Sequence, residues 1–290
     1  MDSNVLLKFV KPNGATFSIG SNEDWRFTKK NGLSGFGKAD GTVSFTENVN
    51  ADGGFINNIR FGKKDRTVKC TYLYADNNYT ARKQFLGFFT PHTTFKVYLT
   101  YMGVTKWAEG ELYKLQGSED TQEDRLQTFQ MTFMFANPFW KSVDDFGRDI
   151  AEVKPMAGFP YISRLNVGAP TGIFNFSREV ILTNDGQIAV NPRIILRANG
   201  TVLNPEVHIG DGFVRILDTL EQGDEIELNF TATPPTVKKN GVNALGRCDR
   251  TSNFIDMVLK VGDTIASFDA ENGSDNVAVT IYYNKLFTIC

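Results

Sequence analysis

Nine Asn-Gly or Asp-Gly pairs punctuate this chain of 290 residues, and they constrain its fold more than any other feature. They are Asn13-Gly14, Asn31-Gly32, Asp40-Gly41, Asp52-Gly53, Asp185-Gly186, Asn199-Gly200, Asp211-Gly212, Asn240-Gly241 and Asn272-Gly273. Asn, Asp and Gly tolerate the positive φ that tight hairpin turns demand, so such pairs between apolar runs signal antiparallel strands. Asn199-Gly200 lies between Ile194–Leu196 and Val202-Leu203, and Asp211-Gly212 between Val207–Ile209 and Val214–Leu217, which predicts a hairpin at each. The intervening runs alternate as half-buried strands do: Thr67–Tyr72, Phe95–Tyr101, Thr128–Phe135, Glu225–Phe230 and Val277–Tyr283. The fold class is therefore mainly β and antiparallel.

One segment reads as a helix. In Asn78–Phe89, Thr80 can cap the N-terminus, while Ala81, Phe85, Phe88 and Phe89 share a face. Gly87 weakens this helix and Pro91 stops it. A shorter helical turn is expected around Phe254–Met257. The strand beginning at Thr128 runs into Asn137-Pro138-Phe139-Trp140, where Pro138 has no backbone donor and biases Asn137 toward extended geometry, so the ladder should end there. Periodicity then fades over a linker of roughly residues 142–160. At this length two domains are expected, with a boundary near residue 145: residues 1–145 with the helix, and residues 146–290.

The formal net charge of −2 offers no global attraction to nucleic acid or membrane, and no apolar run approaches the roughly 18 residues that span a bilayer. Met1-Asp2-Ser3-Asn4 lacks a charged stretch followed by an apolar one, so no secretory signal is expected. Cys70, Cys248 and Cys290 are odd in number and widely spaced, which argues against zinc and against a disulfide framework and suits a reducing cytoplasm. Cys70 shares an apolar strand face with Val68 and Tyr72, as a buried thiol would.

Chemistry-bearing constellations are sparse. His92 and His208, the two histidines, fall in different halves with no nucleophile motif near either. The carboxylate pairs Glu109/Glu111 and Glu225/Glu227 share strand faces as solvated residues do. Gly35-Phe36-Gly37-Lys38-Ala39-Asp40-Gly41 lacks both the spacing and the following helix of a dinucleotide loop, and reads instead as a flexible or interface loop. Lys29-Lys30, Lys63-Lys64 and Lys238-Lys239 are isolated turn flanks. No catalytic residue, cofactor or metal ligand is assigned.

Several motifs in order carry a resemblance: Gly32–Gly37, Gly62–Val68 with Arg66 ahead of a strand, Arg82–Pro91 with Phe88-Phe89, Asn137–Trp140, Val237–Leu245, Phe254, Leu259–Ile265 and Val277–Tyr283. Lys63-Lys64-Asp65 and the long linker depart from the pattern. Together they resemble the distal tail protein of siphophages, a baseplate hub and tail adaptor. The resemblance implies a structural virion protein made in the host bacterial cytoplasm, whose N-terminal antiparallel β domain forms a homohexameric ring and whose C-terminal domain is a galectin-like β-sandwich. Implied partners are the tail tube protein, a tail-tip or tail-associated-lysin-type protein and a receptor-binding protein, with DNA only passing through the channel.

Within Asn48–Lys64, Phe55, Ile56, Ile59 and Phe61 lie in a stretch too irregular for an ordinary core strand, and are expected to form an arm reaching a neighbouring subunit. An ordered surface loop packing on its own domain is the alternative. For the chain as a whole, the alternatives are a carbohydrate-binding module and a hydrolase. Against the former, His208 is followed by Ile209-Gly210-Asp211-Gly212 rather than a galectin His-x-Asn-x-Arg strand, and Trp25, Trp107 and Trp140 all precede the second half.

Overall fold

The computed structural model describes residues 5–29, 31–74, 78–117, 127–143, 146–149, 151–155, 172–176 and 179–290. The chain divides into two compact units, Met1–Val143 with Leu286–Cys290, and Asp144–Lys285. The last five residues, expected with the second half, therefore belong to the first.

The first unit contains β1 (Leu6–Val10), β2 (Thr16–Gly20), β3 (Trp25–Phe27), β4 (Leu33–Ser34), β5 (Gly41–Glu47), β6 (Gly54–Phe61), β7 (Lys64–Tyr72), α1 (Asn78–Phe88), β8 (Thr94–Tyr101), β9 (Val104–Gly117), β10 (Thr128–Phe135) and β11 (Trp140–Ser142). Its main sheet is antiparallel in the order β2-β1-β8-β9-β10-β7-β3. Alternation along the strands sends Leu7, Phe9, Val68, Cys70, Phe95, Val97, Phe129, Met131 and Phe133 to one buried face. Helix α1 covers that face with Ala81 and Phe85, and Phe89 follows just past its end. Phe85 stacks on Phe129 at 4.5 Å between centroids, Phe9 on Phe133 at 5.2 Å, and Phe89 meets Phe9 edge-on at 5.2 Å. Phe-rich composition is thus spent on one aromatic core. Thr80 lies inside the first turn rather than capping it, and Phe88 is only half-buried.

The β10 ladder ends at Phe135, ahead of Pro138, and a new strand starts at Trp140. Asn137 Oδ1 accepts from the Phe139 amide at 3.0 Å, which turns the chain between the two. The linker expected over residues 142–160 contains strands at Phe146–Asp149 and Ala151–Pro155, and its residues 156–160 lie outside the described residues. The glycine loop after β4 is not a free loop. Gly35 takes φ +79° and lies so close to β7 that a Cβ would stand 2.2 Å from the Asp65 carbonyl oxygen, so only glycine fits.

The second unit contains β12 (Phe146–Asp149), β13 (Ala151–Pro155), β14 (Gly172–Phe176), β15 (Glu179–Asn184), β16 (Arg193–Ala198), β17 (Val202–Ile209), β18 (Gly212–Arg215), β19 (Thr219–Leu220), β20 (Glu225–Asn229), β21 (Thr236–Lys239), β22 (Val242–Asn243), β23 (Gly262–Asn272) and β24 (Val277–Tyr283). One sheet runs β12-β24-β16-β20-β21-β22, and another runs β15-β23-β17-β18 with β19 on β17. Ile194, Leu196, Ile226, Leu228, Val279 and Ile281 are the buried side of the first, and Val207, Ile209, Val214, Ala266 and Phe268 that of the second, as in a β-sandwich.

Asn240-Gly241 closes a hairpin with φ +51° and +79° as expected, whereas Asn199-Gly200 carries the chain from one sheet to the other rather than back along its own. Between β17 and β18 the turn sits at Gly210-Asp211, because Ile209 pairs with Gly212. Phe254–Met257 forms no helix. After β24 the chain re-enters the first unit as β25 (Leu286–Phe287), antiparallel to β11.

Candidate subunit interface

The arm expected over Asn48–Lys64 is a two-stranded antiparallel sheet of its own, β5 with β6, so it begins at Gly41 and ends at Phe61, while Lys64 opens β7. Gly41 faces Phe61, Val43 faces Ile59, and Phe45 faces Ile56, with a bulge between Ser44 and Phe45. Residues 41, 43 and 45 share a face by the period of the strand, and their partners share it with them. Val43, Phe45, Ile56, Ile59 and Phe61 therefore form one apolar face, each between 42 and 63% exposed. The opposite face carries Thr42, Ser44, Thr46, Asn58 and Arg60, with Asn57 Nδ2 donating to Thr46 Oγ1 at 2.6 Å. Of the four expected residues, Ile56, Ile59 and Phe61 lie together. Phe55 pairs with Thr46 on the polar side and is 69% exposed. Val43 and Phe45 complete the face, and their signal was the alternation Val43-Ser44-Phe45-Thr46 on the partner strand.

The root of this arm is fixed from both ends. Phe61 packs edge-on against Phe139 at 5.3 Å, and Phe36, ahead of β5, lies 6.1 Å from the Trp140 ring. Lys64 Nζ donates to the Lys38 carbonyl at 3.2 Å and to Asp40 Oδ2 at 2.5 Å. Beneath the root, the fully buried Arg66 guanidinium lies over Phe135 at 4.1 Å and Trp140 at 4.3 Å, and its Nη2 donates to the Pro138 carbonyl at 2.6 Å. Burial pulls Arg66 down to about 10, with Cys290 acting in the opposite sense.

The residues weighed for catalysis stand apart. His92 is exposed in the left-handed region at φ +58°, its Nδ1 3.7 Å from Glu111 Oε1. His208 projects from the non-core face of β17, its Nε2 2.6 Å from Glu206 Oε1 and its ring 5.8 Å from Phe213. Glu206 also holds Arg215. Burial raises the thiols of Cys70 and Cys248, the latter to about 11, which keeps them protonated and unreactive at neutral pH. Among the described residues no three His, Cys, Asp or Glu are grouped to hold a metal, and no helix is long and apolar enough to cross a membrane.

Residues 185–287 match the family of the siphovirus-type tail component, C-terminal domain. The matched stretch lies in the second unit apart from Leu286 and Phe287. The match spans the strands from β16 to β24 and includes the closing hairpin around Asn240-Gly241. Over almost the whole chain the fold is similar to that of the SPP1 Dit protein (gp 19.1), which is described as a paradigm of the hub adsorption apparatus in phages infecting Gram-positive hosts. The TM-score is 0.63 at 11% identity, covering 97% of this chain and 99% of that one. Chains of the phage P2 baseplate in its activated conformation are similar too. The calcium form gives a TM-score of 0.54 at 12% identity over 98% of each chain, and the strontium form 0.55 at 12% identity over 97% of this chain and 98% of that one. No curated protein matches the sequence. The likeness to these solved chains takes in the first unit as well as the stretch that the family model matches, at low sequence identity.

Proposed function

We propose that this protein is a structural subunit of a siphophage tail tip, closing into a homohexameric ring that joins the tail tube to the tip and receptor-binding apparatus. The observation that carries the reading is the uncovered apolar face of the β5–β6 arm. An isolated two-stranded ribbon is marginal in water, and one with five half-exposed apolar side chains needs a cover. Covering each contributes roughly 1–1.5 kcal/mol, enough together to drive association. A second copy of the same chain is the occupant this reading assigns, because a head-to-tail contact repeated around an axis covers every arm and leaves none free. The full-length likeness to hub and baseplate chains supports the same assignment.

In this reading the tube and the tip protein stack on the two faces of the ring, the second unit offers a docking surface to receptor-binding proteins, and the protein resides in the virion after synthesis in the host cytoplasm. It performs no catalysis. Electron micrographs of the purified protein should show rings with six-fold averages. Particles without rotational symmetry contradict the reading.

A carbohydrate-binding role has one observation in its favour. On the second unit, Asn204, Glu206, Arg215, Asp269, Ala270 and Glu271 line an open depression of about 300 Å³ beside the His208–Phe213 stack. Polar side chains beside a ring are the groups that hold sugars. A glycan array on the full chain tests this, and an array without a hit excludes it.

A further inference from the structure

The root of the arm is built partly from the segment that re-enters the first unit. Leu286 and Phe287 pair with Lys141 and Trp140. The Phe287 ring lies 4.0 Å below Lys106 Nζ, which also donates to the Ile289 carbonyl at 2.9 Å. Cys290 Sγ donates to the Leu99 carbonyl at 3.4 Å. At the root itself, the Ala39 amide donates to the Thr288 carbonyl at 3.1 Å, and Ala39 is buried. Ala39 stands two residues before β5, between Lys38 and Asp40, which Lys64 clamps from the far side of the arm. One short segment thereby ties together β8, β9, β11 and the entry to the arm. In sequence it follows the whole of the second unit.

We propose that residues 286–290 lock the root of the arm, so that a subunit presents its assembly surface only once this return segment is seated. The proposal rests on the ring reading above. Without the return segment, the Ala39 amide and the 36–40 turn lose their anchor, and one edge of Trp140 loses its strand partner. The arm then hinges about Gly37 and Gly62, at neither of which would a Cβ meet any neighbour within 4 Å. An arm free to swing carries its entropy cost into every ring contact, so association weakens although no interface residue has changed. A chain interrupted anywhere in the second unit is kept out of the ring by the same device.

Two substitutions in the full chain test it: Phe287→Ala, and Lys106→Met, which removes both Lys106 contacts while leaving the strand pair. Hydrogen exchange is measured over residues 36–41 and, as a control for global folding, over α1, with the oligomer mass read in parallel. Both variants should raise exchange at 36–41 by at least about tenfold, leave α1 unchanged and reduce the ring population. Unchanged exchange at 36–41 overturns the lock. So does a loosened root with a ring population equal to that of the wild type. A wild-type chain that is itself monomeric marks failure of the ring reading instead, and the exchange data still decide whether residues 286–290 hold the root.

Discussion

Arg66 shows how much a single residue can commit. Its guanidinium is fully buried, has one hydrogen bond to the Pro138 carbonyl, and rests on the faces of Phe135 and Trp140. Truncating it leaves a cavity and an unpaired carbonyl, so Arg66→Ala should cost the first unit about 3 kcal/mol. Arg66→Lys should recover less than half, because an ammonium cannot lie flat on two rings. Trp25, Trp107 and Trp140 all lie in the first unit, so tryptophan fluorescence during urea unfolding reports that unit alone.

Asp224 in the second unit predicts a pH dependence. It accepts from Asn240 Nδ2 at 2.8 Å and from the Glu221 amide at 3.0 Å, with Lys239 Nζ also 3.0 Å away, and these hold its carboxyl down at about 2. A carboxylate depressed on folding contributes stability that is present above its unfolded value of about 3.9 and is lost as pH falls toward 2. Calorimetric melts should therefore separate wild type from Asp224→Asn at pH 6, and the gap should narrow steadily below pH 4. Nothing in the sequence singled out Asp224, and Arg66, expected ahead of its strand, is the third residue of β7. Its burial was not legible, because an arginine is ordinarily exposed and nothing local announces the two rings brought from residues 135 and 140.

At the scale of elements, the hairpin β5–β6 separates pattern from context. The sequence placed an arm in this region on the strength of Phe55, Ile56, Ile59 and Phe61 in a stretch too irregular for a core strand, and the structure makes it a regular ribbon closed near Asp52-Gly53. Alternation demands one covered face without saying which chain covers it, and Val43 and Phe45 lay outside the stretch from which the arm was expected. Phe55 fell on the wrong side because the bulge at Ser44/Phe45 shifts the register, and a one-residue shift exchanges the faces.

Since the apolar face is solvent-exposed within the subunit, Val43→Asp with Ile59→Asp, which face each other across the ribbon, should lower the unfolding free energy of the first unit in urea by no more than about 1 kcal/mol. The turn pairs teach a similar lesson. Asn240-Gly241 joins neighbours in one sheet, Asn199-Gly200 joins strands in different sheets, and the dipeptide alone does not distinguish them. Replacing Asn240, at φ +51°, by Leu should cost the second unit roughly 2–3 kcal/mol in the same calorimetric melts, since it strains the backbone and also removes the side-chain bonds to Asp224 and the Glu225 amide.

For the whole molecule, mainly antiparallel β structure with a single helix and a sandwich in the second half were all expected from turn pairs, alternation and the resemblance. The return of residues 286–290 to the first unit was not, since Leu286-Phe287 continues directly from the run ending at Tyr283 and nothing in its composition says which unit it joins. That return makes the first unit discontinuous in sequence, with the second unit inserted between Val143 and Leu286.

The measurement that bears most directly on the account is the solution mass of the wild-type chain beside the Val43→Asp/Ile59→Asp variant, by light scattering behind a sizing column. The account predicts a wild-type mass near six times the 32.4 kDa subunit and a folded variant at the mass of one subunit. A wild type that stays monomeric across the concentration range, or a variant that assembles as well as the wild type, contradicts it.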